Sequence, residues 1–119
     1  IHIKDVVDAY LLALKADDKL ISNKIFNVGY ENYTVKKIAE MVKGIVGDQV
    51  TIKYSKTDDL RSYHISSKKI EKELGFKPRY SVEEAIKDLV EAFESGKIPD
   101  PLNSIRYYNI KTMIARKLE

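Results

Sequence analysis

The order of apolar segments between residues 25 and 54 constrains the fold more than any other feature of this chain. Residues 25–28 are a short apolar run closed by a glycine, and residues 50–54 are β-branched and aromatic, which is typical of strands. Between the two runs, Thr34 can cap a helix that Gly47 ends. A crossover of that length predicts two parallel strands joined by a right-handed connection.

Two more helices are predicted on either side of this segment. Asp5 can accept hydrogen bonds from the first free amides of a helix over residues 6–15, where apolar side chains recur at helical spacing. Residues 66–74 form the other helix, which Gly75 ends and Pro78 prevents from continuing.

The C-terminal part begins with a capping box, in which Ser81 precedes Glu84 by three residues and starts another helix. A linker that ends at Pro101 follows this helix. Residues 102–119 carry apolar side chains at helical spacing, so we expect an arm that needs a partner surface. The sequence therefore predicts a lobe over residues 1–101 and an arm over residues 102–119.

Composition narrows the classes of protein that fit this chain. Its 119 residues with 44% hydrophobic content suffice for one domain with a core. The absence of cysteine excludes disulfides, thiolate nucleophiles and cysteine–zinc sites, and it fits a cytoplasmic location. Basic and acidic residues, 21 and 18, are interleaved, which suits an anionic small molecule better than a nucleic acid. No apolar run reaches the ~20 residues of a membrane helix, so no membrane contact is predicted.

Most of the functional information lies between residues 58 and 78. This stretch reads Asp-Asp-Leu-Arg-Ser-Tyr from residue 58, then the predicted helix, then Gly-Phe-Lys-Pro from residue 75. It resembles the nucleotide-sugar-binding segment of the extended short-chain dehydrogenases, the family of NAD-dependent, UDP-glucose 4-epimerase-like sugar epimerases and dehydratases. Residues 1–10 and the Phe-Asn-Val-Gly run at 26–29 add to the resemblance.

Arg61 is the main candidate for substrate binding. A guanidinium group matches two phosphate oxygens at once, so an arginine just ahead of a helix can hold a diphosphate. The residues alone leave open a local salt bridge from Arg61 to Asp58 or Asp59. The resemblance favours the phosphate contact.

Lys56 and Tyr63 complete the predicted substrate site. The family has an arginine where this chain has Lys56 and a glycine where it has Asp58. A lysine at that position neutralises phosphate as a point charge without the planar two-point contact. Tyr63 matches an aromatic position of the family, whereas the residues alone favour packing of Tyr63 near Ile70.

Other patterns predict no chemistry on this chain. His2 and His64 lie far apart with no second histidine at ligand spacing, so no metal site is expected. Tyr107 and Lys111 have the spacing of the family's catalytic pair, but they follow the substrate loop, whereas the family's pair precedes it. No glycine-rich phosphate loop occurs, so we expect no catalytic residue and no cofactor site in this chain.

Together these patterns predict an α/β fold, a small mixed lobe in which several helices pack on a short parallel βαβ unit. The resemblance implies that this lobe is the C-terminal substrate-binding part of a Rossmann-type enzyme. The first residue is not methionine, and we expect a fragment whose N-terminal domain is absent. The lobe would orient a nucleoside-diphosphate sugar for hydride transfer to NAD on that domain. The expected partners are the nucleotide sugar and the N-terminal domain, and a homodimer stays open.

A different class of function also stays open. Arg106, Lys111, Arg116 and Lys117 alternate with tyrosines and apolar residues on the arm. This pattern would suit a noncatalytic binding or assembly module for RNA or a protein partner. Such a module would lose affinity steeply with salt and would show no preference for nucleotide sugars.

Overall fold

The computed structural model of this chain describes residues 1–56, 58 and 61–117. These residues fall into two compact units, Ile1–Lys87 and Asp88–Glu119. The α-helices are α1 (Ile3–Lys15), α2 (Asp18–Ile21), α3 (Val35–Val46), α4 (Lys68–Leu74), α5 (Val82–Glu94) and α6 (Asn109–Ala115), with a 3-10 helix at Ile105–Tyr107. The predicted division into a substrate-binding lobe over 1–101 and an arm over 102–119 concerns function, and it stays a prediction.

The prediction of an α/β lobe with a parallel βαβ unit is wrong, because the described residues form helices and no strand. Residues 25–28 and 50–54 carry no strand ladder. The structure therefore gives no support to a Rossmann-type lobe. None of the helices in the described ranges is long and apolar enough to cross a membrane.

Near the first predicted strand, side chains form hydrogen bonds with backbone groups that a sheet would need. The Lys69 Nζ donates to the carbonyl of Ile25 at 2.8 Å and lies 4.9 Å from the ring centroid of Phe26. Phe26 and Val28 are partly buried against the core. A β-branched or aromatic run reports a local preference for extended backbone, but a strand also needs a partner ladder, and tertiary packing decides whether one forms.

The start of α1 also differs from the prediction that Asp5 caps it. His2 is the N-cap, and its Nδ1 accepts a hydrogen bond from the Lys4 N–H at 3.0 Å. Asp5 lies inside the helix and is fully buried, with 0% of its surface exposed. Its two carboxylate oxygens accept hydrogen bonds from the backbone N–H groups of Arg79 at 2.9 Å and Tyr80 at 3.1 Å.

Several other helix ends read from local sequence are confirmed, although α4 begins at Lys68 and not at the predicted residue 66. The Thr34 hydroxyl accepts from the Lys37 N–H at 3.1 Å at the start of α3, and Gly47 is its C-cap. Gly75 ends α4 in the left-handed conformation with φ of 70°, which favours glycine. Before α5, the Glu84 carboxylate accepts from the Ser81 N–H and hydroxyl, while the Ser81 hydroxyl accepts from the Glu84 N–H.

One cluster of buried apolar residues in the first unit joins α1, α4 and the segment after α4. Its buried residues are Ala9, Ile70 and Phe76. The partly buried side chains packed against them are Leu12, Phe26, Val28 and Leu74. This cluster packs α4 against α1 and against the segment that follows α4.

Candidate functional site

A groove of about 460 Å³ lies in the first unit beside the segment that leads into α4. We call it the Ser67 groove, and its lining residues are Gly29, Tyr30, Ile65, Ser66, Ser67, Lys68, Glu71, Phe76, Lys77 and Pro78. These residues come from three separate parts of the chain. A groove of this volume is in the range of small-molecule sites.

The wall of the groove is built from hydrogen bonds between Gly29 and Ser67. The Ser67 hydroxyl accepts from the Gly29 N–H at 2.7 Å and donates to the Gly29 carbonyl at 3.0 Å. A Cβ atom at position 29 would lie 3.3 Å from both Ile65 Cγ2 and Ser67 Oγ. The glycine therefore allows the two segments to approach each other closely.

A second pair of hydrogen bonds anchors the same segment two residues earlier. The Asn32 side-chain amide donates from Nδ2 to the Ile65 carbonyl at 3.0 Å, and its Oδ1 accepts from the Ile65 N–H at 2.9 Å. Asn32 thus satisfies both backbone groups of Ile65, as a strand partner would. The backbone just after the predicted substrate loop is held at two points.

The predicted substrate residues precede this anchored segment. Lys56 and Arg61 are exposed, and Tyr63 is 72% exposed. Packing of Tyr63 against the helix near Ile70 is therefore not observed. Asp59, one of the two aspartates that sequence analysis left as a possible salt-bridge partner of Arg61, lies outside the described residues. None of the three predicted residues lines the Ser67 groove.

The charge at the groove is mainly positive. Lys68 and Lys77 line it, and the structure describes no ion pair for either of them. Glu71 is the acidic residue of the lining. Two ammonium groups and the Ser66 hydroxyl at one opening can contact an anion or the hydroxyls of a sugar.

Sequence analysis did not identify Asn32, Ser67, Lys68 and Lys77 as neighbours of the loop. Lys77 belongs to the Gly-Phe-Lys-Pro run that contributed to the resemblance. That run pointed to this region of the chain but assigned no role to Lys77. Nothing in the sequence around Asn32 indicates that it bonds to a residue 33 positions away. Contacts of this kind are set by packing.

The remaining candidates have structural partners. His2 is buried and its ring centroid lies 4.9 Å from that of Tyr80. Among residues 1–56, 58 and 61–117, no three side chains of the metal-ligating kinds come together. The Lys111 Nζ lies 4.1 Å from the ring centroid of Tyr108. Tyr108 is the neighbour of Tyr107, the tyrosine that has the spacing of the family's catalytic pair with Lys111.

Comparison with known proteins relates the chain to a curated enzyme. The chain is 31% identical over 99 residues to a UDP-glucose 4-epimerase of Corynebacterium glutamicum, a match that covers 81% of this chain and 30% of the relative. The chain thus spans about 30% of the length of that curated relative. No protein-family profile matches the chain, and no solved structure matches it.

The extent of the match places the candidate site within it. Because 81% of the 119 residues are covered, fewer than a quarter lie outside a contiguous match, and these lie at one end of the chain or at both. Residues 56–63 and the lining of the Ser67 groove lie in the middle of the chain and are therefore included. The similarity relates this region of the chain to an epimerase.

Proposed function

We propose that this chain is the nucleotide-sugar-binding part of an NAD-dependent sugar epimerase or dehydratase. The 31% identity to a UDP-glucose 4-epimerase over most of the chain is the observation that carries the proposal. The exposed cations Lys56 and Arg61 support it, since positive charge at the surface suits an anionic ligand.

In this proposal the diphosphate of the substrate contacts Arg61 and Lys56. Arg61 makes the planar two-point contact and Lys56 adds a point charge. Tyr63, exposed beside them, offers an aromatic face to the base or the sugar. The bonds from Asn32 and Ser67 hold the backbone that follows the loop, so the loop is tethered at its C-terminal end.

The function of such a part is to orient the substrate. Binding energy from the diphosphate, which does not react, can position the sugar carbon that does react. NAD would accept the hydride from the sugar in the parent enzyme. The described residues offer no glycine-rich loop for a dinucleotide, so no step of the hydride transfer is assigned to this chain.

Amide NMR spectra recorded during titration with UDP-glucose, GDP-mannose and UDP test this proposal. We expect saturable shifts at residues 56–68 with at least one nucleotide sugar, and weaker shifts with free glucose at the same concentration. The Arg61→Ala variant should lose most of the saturable response. Shifts that do not saturate, or that spread evenly over the chain, would contradict the assignment of this loop to substrate binding.

A further inference from the structure

The Ser67 groove has a base and a wall that the fold itself holds in place. Phe76, which lines the groove, is buried in the cluster with Ala9 and Ile70, so the base of the groove is part of the core. The Ser67 hydroxyl bonds to both backbone groups of Gly29, at 2.7 and 3.0 Å, and these bonds join two of the segments that form the wall. A site whose walls are already fixed loses little conformational entropy when a ligand binds.

The rim of the groove carries more positive than negative charge. Lys68 and Lys77 both line it, both are exposed, and the structure describes no ion pair for either of them. Glu71 is the acidic residue among the described lining residues, so positive charge is in excess. A concave surface with an apolar base concentrates the field of such charges. The groove therefore favours a ligand that carries negative charge.

The size and the apolar lining of the groove indicate a ligand larger than an inorganic ion. Its volume of about 460 Å³ is in the range of sites for small organic molecules. The exposed side chains of Tyr30 and Ile65 line it together with the half-buried Pro78. A sugar ring combines apolar C–H groups with hydroxyls. Such a ring can lie on these side chains while one of its hydroxyls bonds to the Ser66 hydroxyl.

We propose that the Ser67 groove binds an anionic sugar, a ring of pyranose size that carries a carboxylate or a phosphate. The ring lies against the apolar lining, and the charged group contacts Lys68 and Lys77. Such a ligand has two sources, the sugar part of a nucleotide sugar and a free sugar acid or sugar phosphate. Lys56, Arg61 and Tyr63 do not line the groove, so its binding can be tested independently of the proposed function.

Amide NMR titrations of the full 119-residue chain measure binding at the groove. Glucuronate and glucose 6-phosphate should cause saturable shifts at the amides of Gly29, Tyr30, Phe76 and Lys77. Glucose lacks the charge and inorganic phosphate lacks the ring, so each should bind about tenfold more weakly or not at all. Glucose that binds as tightly as glucuronate would overturn the proposal, and so would inorganic phosphate that binds as tightly as glucose 6-phosphate.

Substitution of the two lysines tests whether the groove reads the charge of the ligand. Lys68→Gln and Lys77→Gln should each weaken the binding of glucuronate about tenfold, whereas Lys77→Arg keeps the charge and should stay within about threefold. Lys72→Gln is the matched control, because Lys72 is an exposed lysine of the same helix that does not line the groove. Circular dichroism checks that every variant keeps its helix content. An equal loss in the Lys72 and Lys68 variants would contradict a contact at the groove.

Titration with UDP-glucuronate and UDP-glucose distinguishes the two sources of the ligand. Shifts of the groove amides with UDP-glucuronate but not with UDP-glucose would assign the sugar part of a nucleotide sugar. Shifts with the free acidic sugars alone would assign a free ligand. No saturable shift at these amides with any acidic sugar would overturn the proposal. The proposed function is measured at residues 56–63, whose response to nucleotide sugars can fail while the response of the groove remains.

Discussion

The side-chain amide of Asn32 forms two hydrogen bonds with the backbone of Ile65, one to the carbonyl at 3.0 Å and one from the N–H at 2.9 Å. These bonds join the segment before α3 to the segment before α4, 33 residues apart. Since Ile65 follows Arg61 and Tyr63 closely, Asn32 limits where the candidate substrate loop can end. A residue outside the loop thus positions it.

Asn32→Ala should destabilise this junction. Two hydrogen bonds at a surface are together worth about 1–2 kcal/mol of the free energy of unfolding. Urea denaturation measures the loss, and faster hydrogen exchange at the Ile65 amide would locate it. The control is Asn27→Ala, because Asn27 is exposed and the structure describes no hydrogen bond of its side chain. Equal effects of both substitutions would contradict the role of Asn32.

Asp5→Asn should cost more stability than the same change at Asp8. Asp5 is fully buried and its carboxylate accepts from two backbone amides, so an amide nitrogen there would face an N–H donor. We expect a loss of about 2–3 kcal/mol in the free energy of unfolding. Asp8 forms a partly exposed ion pair with Arg79, and because solvent screens such a pair, its loss should cost less stability. Urea denaturation of the two variants measures both losses of stability. A larger loss for the Asp8 variant than for the Asp5 variant would contradict the prediction.

Arg61→Ala should weaken nucleotide-sugar binding in the parent enzyme. A hydrogen-bonded contact to a charged group is worth about 1.5–3 kcal/mol, which corresponds to about 10- to 150-fold in the dissociation constant. Calorimetric titration with the nucleotide sugar measures the change. Arg106→Ala removes an exposed arginine of the second unit and should leave the constant unchanged. An unaltered constant in the Arg61 variant would remove this residue from the site.

The capping box before α5 should make stability depend on pH. Hydrogen bonds from the Ser81 N–H and then from its hydroxyl lower the pKa of Glu84 from its ordinary value of 4.5. Because the pKa is lower in the folded chain, the ionised carboxylate stabilises the fold above about 4.5, and this contribution disappears as pH falls through the folded-state pKa.

Ser81→Ala removes the hydroxyl and keeps the backbone N–H. We therefore expect it to move the pKa of Glu84 part of the way back toward the ordinary value. The chemical shift of the Glu84 carboxyl carbon, followed by NMR across acid pH, measures both titrations. Identical midpoints in the two proteins would show that the hydroxyl does not contribute.

Tyr33 should titrate well above an ordinary tyrosine. Its hydroxyl donates to the Glu31 carboxylate at 2.7 Å, and this hydrogen bond is the main cause that raises its pKa from 10.0 to about 12. The raised pKa means that the stabilising bond is present below pH 10 and is lost as pH rises through about 12. Subtracting the phenolate absorbance of a Tyr33→Phe variant isolates this residue. Glu31→Gln should bring the midpoint back toward 10.0.

Helix ends were the part of the fold that sequence could predict. Thr34, Gly75 and the Ser81–Glu84 box act through atoms within a few residues of themselves, so their neighbours in sequence suffice to infer their roles. The same holds for the apolar spacing of α3. For the candidate loop, the positive charges of Lys56 and Arg61 indicate an anionic ligand. Their chemistry does not reveal which surface lies beside them.

Tertiary structure alone decided that the described residues form no sheet, that Asp5 is buried, and that the Ser67 groove forms. Residues 25–28 and 50–54 prefer extended backbone, yet a strand requires a partner, and bonds from Lys69 and Ser67 use backbone groups near the first of them. Asp5 meets amides 74 and 75 positions away. Such contacts depend on how the helices pack in space, and the spacing of residues in the sequence does not reveal which distant residues meet.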